Sequence, residues 1–253
     1  MLIKQVFPES LAVPSTYCKY FYRGEQSTGD VENKVSTGAL AVKNAGFLDA
    51  ALWATPGYMA VGGGTGNFCT VAASTHDATL NGYSLIVTAR IKKAAAAFPA
   101  AEQYIISSYD PGVNQGGIVI SCRTDGQVRC YINTTDNTTI NANTAAGALT
   151  NGTTANERAL VFFFPRESGS AWAMIDALDG NSSAASTVAG KSLAGGRSMR
   201  IGLGQAGVAN DAYLVAAFAA YAVPTDLANI DRKQVGDWVL RNPGQPIPDW
   251  VFA

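Results

Sequence analysis

The stretch IVISCRTDGQVRCYI, Ile118 to Ile132, constrains the fold more than any other part of the chain. Asp125-Gly126 lies between two runs of alternating apolar and polar residues, the pattern of a β-hairpin. Register decides its form. A two-residue loop would pair Cys122 with Arg129 and mix apolar and charged side chains on both faces. A three-residue loop, Thr124-Asp125-Gly126 with Gly126 left-handed, sorts them cleanly. Ile118, Ile120, Cys122, Val128, Cys130 and Ile132 then share one face, with Val119, Ser121, Arg123, Gln127, Arg129 and Tyr131 on the other. Each buried apolar side chain is worth about 1.5–3 kcal/mol, and a one-residue slip forfeits them together. The three-residue loop is therefore predicted.

That register also bears on the cysteines. Cys122 and Cys130 become diagonal neighbours about 7–8 Å apart, too far for a disulfide, whose Cβ atoms lie about 3.8 Å apart. Cys18, Cys69 and the single histidine, His76, stand at no finger-like spacing. The cysteines are expected to be buried free thiols, and no metal or cofactor is predicted.

Similar alternation recurs along the chain. Tyr83–Ile91, Gln103–Ser107, Ala171–Ala177, Ser198–Leu203 and Tyr213–Ala222 read as strands, and the continuous apolar run Ala159–Phe164 reads as a central one. Leu178-Asp179-Gly180 is expected to turn. The Asn/Thr-rich tract from Asn133 to Glu157 reads as a thin strand within long loops, anchored by Ile140 and Leu149. One helix is predicted near the end, in DLANIDRKQVGDWVL, with Thr225 or Asp226 as its cap and Leu227, Ile230, Val235 and Trp238 on its buried side. With 26 glycines and many short strands, the expected class is an all-β, two-sheet antiparallel sandwich with one short C-terminal helix.

Charged residues make up 15% of the chain and the net charge is -1, which argues against nucleic acid as a partner. No apolar run reaches the roughly 18 residues of a membrane span. The start, MLIKQVFPES, does not read as a signal peptide, so synthesis in a host cytoplasm is expected and the Asn-x-Ser/Thr sequons count as composition.

The order of motifs from about Tyr58 to Leu240 resembles the concanavalin A-like jelly rolls of the laminin G-like type. The residues that carry the likeness are Ile105-Ile106-Ser107-Ser108, Asp125-Gly126, Asp179-Gly180 and Arg200-Ile201-Gly202. In style the chain is most similar to the modules found in tailed-bacteriophage virion proteins. The resemblance implies two antiparallel sheets packed face to face over residues 46–253, in a virion and among other virion proteins, as a homo-oligomer with a trimer preferred. Residues 1–45 fall outside it. They form an N-terminal arm whose aromatic cluster, Tyr17, Tyr20, Phe21 and Tyr22, packs either on its own sandwich or on a neighbouring subunit.

Catalysis is not expected. A retaining glycanase needs two carboxyl groups about 5–5.5 Å apart, hence acids at i and i+2, or i and i+4, on one face of a strand, and no such run is present. Asp176 and Asp179 come nearest, with the wrong parity. GGGTGN, Gly62 to Asn67, lacks the Lys-Ser/Thr and helix of a phosphate loop and reads as a turn. Lectin-like jelly rolls hold sugars with loop aromatics and amide or carboxylate side chains. Trp53 and the loop residues Tyr109, Asp110, Asn114 and Gln115 are the candidates for that chemistry. Calcium would draw on Asp110 and Asp211 alone, too few ligands to predict it. Two functions stand: an assembly and interaction module of a virion, or a lectin-like module binding a host surface glycan.

Overall fold

A computed structural model describes residues 16–35, 40–72, 83–108, 117–133, 139–149, 156–166, 170–179, 198–203, 211–224, 230–242 and 244–252. Among them are fourteen strands: β1 Cys18–Arg23, β2 Ala41–Lys43, β3 Met59–Val61, β4 Cys69–Val71, β5 Ser84–Lys93, β6 Gln103–Ser107, β7 Gly117–Cys122, β8 Val128–Asn133, β9 Thr139–Asn143, β10 Glu157–Phe164, β11 Trp172–Ile175, β12 Leu178–Asp179, β13 Met199–Ile201 and β14 Tyr213–Val223. Two helices, α1 Asp49–Leu52 and α2 Arg232–Arg241, and a 3-10 turn, Asp249–Phe252, complete the described elements. The first sheet runs β1-β14-β5-β10-β11-β12 with β3 also paired to β14, and the second runs β2-β4-β13-β6-β7-β8-β9. All pairings are antiparallel, and the two sheets form an all-β sandwich.

The predicted hairpin register is the observed one. Cys122 lies opposite Val128 and Ile120 opposite Cys130. Gly126 is left-handed at φ 74°, and its N–H donates to the Arg123 carbonyl at 2.9 Å. All six residues of the predicted inner face are fully buried, and all four cysteines are buried free thiols.

The run Ala159–Phe164 is apolar throughout because β10 is buried on both sides. Leu160, Phe162 and Phe164 enter the core between the sheets. Val161 and Phe163 point the other way, into a second cluster with Met174, Val235, Ile247 and Phe252 beneath α2 and the 3-10 turn. On β14 a bulge between Val215 and Ala217 switches the parity, so Val215 and Phe218 face the main core while Ala219 and Tyr221 face the outer cluster. The tract after Asn133 contains β9, with Ile140 and Leu149 fully buried as predicted.

Three expectations are corrected. The described part of the 1–45 segment is not separate from the sandwich: β1 pairs with β14 and β2 with β4, so a strand from this segment stands in each sheet. The helix begins at Arg232, because Asp231 caps it by accepting the Gln234 N–H at 3.1 Å. Thr225, Asp226 and Leu227 lie outside the described residues. The turn after β11 falls at Asp176-Ala177, both left-handed (φ 50° and 61°), and Leu178–Asp179 is already β12. The Asp176 carboxylate holds that turn by accepting from the Ala159 N–H and the Arg158 guanidinium, at 3.0 and 2.8 Å.

Candidate functional site

Two indoles meet on the outer side of the first sheet. In the final 3-10 turn the short period sends Val251 and Phe252 into the outer cluster and leaves Trp250 pointing away from it, 58% exposed. Phe252 packs against Tyr221 and Tyr17, and Asp249 accepts from the Thr16 N–H and hydroxyl at 3.0 and 3.2 Å. These contacts anchor the turn on both sides of Trp250. Trp238, on the last turns of α2, packs against the outer cluster. Its indole N–H donates to the Pro246 carbonyl at 3.0 Å, which fixes the ring. The Trp238 and Trp250 indoles pack T-shaped, ring centroids 5.3 Å apart and planes at 88°.

Beside the pair opens a shallow cleft of about 440 Å³, within the range of small-ligand sites. Asp231, Lys233, Gln234, Asp237, Arg241 and Asn242 line it along α2. Lys233 pairs with Asp237 at 2.5 Å, and this bond holds the Asp237 carboxyl below its ordinary range. Asn242 donates its side-chain amide to the Trp238 carbonyl at 3.0 Å. An exposed aromatic face bordered by amide, guanidinium and carboxylate groups suits a ligand with one apolar face and a hydroxylated rim.

The residues predicted from sequence lie elsewhere. Trp53 follows α1, half-buried against the main core, and donates to the Gly29 carbonyl at 3.2 Å, so it is not a free stacking platform. Tyr109, Asp110, Asn114, Gln115 and His76 lie outside the described residues. In the aromatic cluster, Tyr20 and Tyr22 are buried in the main core and Phe21 in the outer cluster; Tyr17 packs against the latter. Docking Tyr20, Phe21 and Tyr22 on a neighbouring subunit is therefore corrected: their own sandwich already holds them. Asp211, weighed for calcium, is paired with Lys93 at 2.7 Å. Gly62 to Asn67 bends between β3 and β4 with no helix after it, as a turn should. The described residues contain no cluster of three metal-ligating side chains and no helix long and apolar enough to cross a membrane.

Sequence reasoning took Trp238 for a core residue and passed over Trp250. The local signal was the order Asp-Trp-Val-Phe: in a turn of three residues one of three consecutive large apolar side chains must face away from the core.

No protein-family model matches the sequence, and no characterised protein matches it. Solved structures do share the fold. The binding domain of botulinum neurotoxin serotype G superposes with a TM-score of 0.64 at 9% identity, over 89% of this chain and 51% of its own. The receptor binding domain of botulinum neurotoxin D gives 0.59 at 10% identity, over 91% and 56%. A Trypanosoma rangeli sialidase gives 0.59 at 11% identity, over 92% of this chain and 34% of its own. The chain thus spans about half the length of the neurotoxin domains and a third of the sialidase. At such identities the likeness is one of fold, an antiparallel β-sandwich.

Proposed function

We propose that this chain is a non-enzymatic recognition module that binds a carbohydrate on a host surface, in the setting of a tailed-bacteriophage virion. The observation that carries the reading is Trp250, an exposed indole packed T-shaped against Trp238 beside a polar cleft. Ring faces of this kind stack on the C–H face of a sugar, and planar amide and guanidinium groups suit its paired hydroxyls. The receptor binding named for the botulinum domains is in keeping with a β-sandwich used for attachment. The virion setting rests on the sequence resemblance.

A glycan screen followed by calorimetry tests this. The wild-type chain should bind at least one surface glycan, and Trp250→Ala should abolish that binding with little change in melting temperature. Binding that survives Trp250→Ala would remove the cleft from the reading.

A second reading, assembly with copies of itself, is favoured by one feature. Leu40 and Val42, which share a face two residues apart at the edge strand β2, are 47% and 51% exposed. Light scattering on Val42→Glu tests it: an oligomer that becomes a monomer supports this contact, and an unchanged mass refutes it.

A further inference from the structure

The charges along α2 divide the cleft into two unlike ends. At its start Asp231 is committed to the Gln234 N–H, and one turn on Lys233 and Asp237 satisfy each other. Arg241 lies ten residues beyond Asp231, about 15 Å along the helix at 1.5 Å per residue. It is exposed, and Asp237, one turn back, lies within reach of its charge. Trp238, Arg241 and Asn242 stand at i, i+3 and i+4, so they share one face of the last turn, where Trp250 joins them. The end of a helix normally turns bare carbonyls toward a ligand, which repels anions. Here part of that end is engaged: the Leu240 carbonyl accepts from the Arg90 guanidinium at 3.5 Å, and the Asn242 side-chain amide adds a second bond, at 3.0 Å, to the Trp238 carbonyl that already accepts from the Asn242 N–H. The aromatic end of the cleft therefore presents the Arg241 guanidinium, while Asp237, the acid one turn back, has its hydrogen bond with Lys233.

Resting on the recognition reading above, we infer that the cleft takes a sugar bearing a carboxylate, with its ring on Trp250 and its carboxylate on the Arg241 guanidinium. A guanidinium presents two parallel N–H donors to a carboxylate, a match that a neutral sugar does not offer. The Asn242 amide, its N–H₂ engaged with Trp238, brings its oxygen to a ring hydroxyl. The carboxylate can belong to a uronic acid or to a nonulosonic acid, and the same chemistry would recognise both.

Calorimetry with matched pairs tests this: trigalacturonate against its methyl ester, and sialyllactose against lactose. At least one carboxylated member should bind about ten-fold tighter than its neutral partner, and which pair shows it identifies the source of the carboxylate. Arg241→Gln should reduce that preference to near parity while neutral-sugar binding persists, and raising the salt concentration should do the same. Equal affinity for both members of both pairs, or a preference that survives Arg241→Gln, overturns the inference and leaves the recognition reading standing. If no member of either pair binds and the glycan screen is also empty, the recognition reading falls and the inference with it.

Discussion

Lys93 and Asp211 meet at 2.7 Å, with the lysine side chain 2% exposed and the aspartate 43% exposed. Gln103 sits beside them, accepting from the Asp211 N–H at 3.2 Å and the Tyr213 hydroxyl at 2.6 Å. Burial, the largest single influence on Asp211, favours the neutral acid. The Lys93 and Gln103 hydrogen bonds together outweigh it and hold the carboxyl below its ordinary 3.8. A carboxyl depressed by folding contributes stability that is complete above its unfolded pKa and is lost as pH falls through the folded one. Asp211→Asn should cost about 1–2 kcal/mol near neutrality, less than a fully buried pair because water screens the aspartate. It should also flatten the acid limb of the stability curve below about pH 4. Lys93→Met, which removes the buried charge as well, should cost less than Asp211→Asn. Urea unfolding across a pH series checks both, and an unchanged acid limb in Asp211→Asn would separate the pair from acid stability.

Cys122 and Cys130 should stay reduced and unreactive in the native state. Burial raises both thiols, Cys122 to about 11 and Cys130 well above its ordinary value, so neither supplies thiolate at neutral pH. Alkylation should label neither until the chain is unfolded and then label both. A Cys122–Cys130 cross-linked peptide from native protein would contradict the hairpin register.

Gly236 makes α2 sit close on the β11–β12 turn. A Cβ there would lie 2.9 Å from the Met174 Cε and 3.2 Å from the Ala177 Cα. Alanine within a helix is ordinarily worth about 1 kcal/mol over glycine. The methionine tip can swing aside, but the backbone at the turn has little freedom, so Gly236→Ala should lose about 1 kcal/mol net and Gly236→Val more. A rise in melting temperature for Gly236→Ala would mean that the helix is free to lift from the turn.

The two indoles of the cleft should separate stability from recognition. Trp238 packs on the outer cluster and hydrogen-bonds Pro246, so Trp238→Ala should cost about 3 kcal/mol, the low end for a large aromatic. Trp250→Ala should cost under about 1 kcal/mol, since most of the ring already faces water. Equal losses in thermal denaturation would make Trp250 a structural residue.

What could be read from the sequence was what sequence neighbours decide. The Ile118–Ile132 hairpin was legible because only one loop length sorts its side chains, and β10 because burial on both faces leaves an unbroken apolar run. β1 was not. Its alternation is blurred by a register shift between Cys18 and Tyr20, and its aromatics face both cores, so no single face stands out. Its partner β14 lies at the far end of the chain, beyond any local pattern. The cleft was missed for a related reason: α2 and the 3-10 turn each look like ordinary packing elements, and only their docking brings Trp238, Arg241 and Trp250 together.

The pairing of β1 with β14 also sets when this protein can finish folding. Tyr22 and Phe218 stack at 6.4 Å across that pair, and β14 in turn lies between β1 and β5. During synthesis the β7–β8–β9 meander can form from local contacts as soon as it leaves the ribosome. In the first sheet β10–β11–β12 can form the same way, but β1, bridged locally only at Asn33 and Lys34, must wait for its ladder partner until β14 has been made. Through that interval the chain carries an aromatic strand whose β14-facing edge is open, the kind of segment that pairs with the wrong neighbour. Yield in a heterologous host should therefore depend on how long that wait lasts, and slower growth or a holding chaperone should raise the soluble fraction more than any change to the finished core.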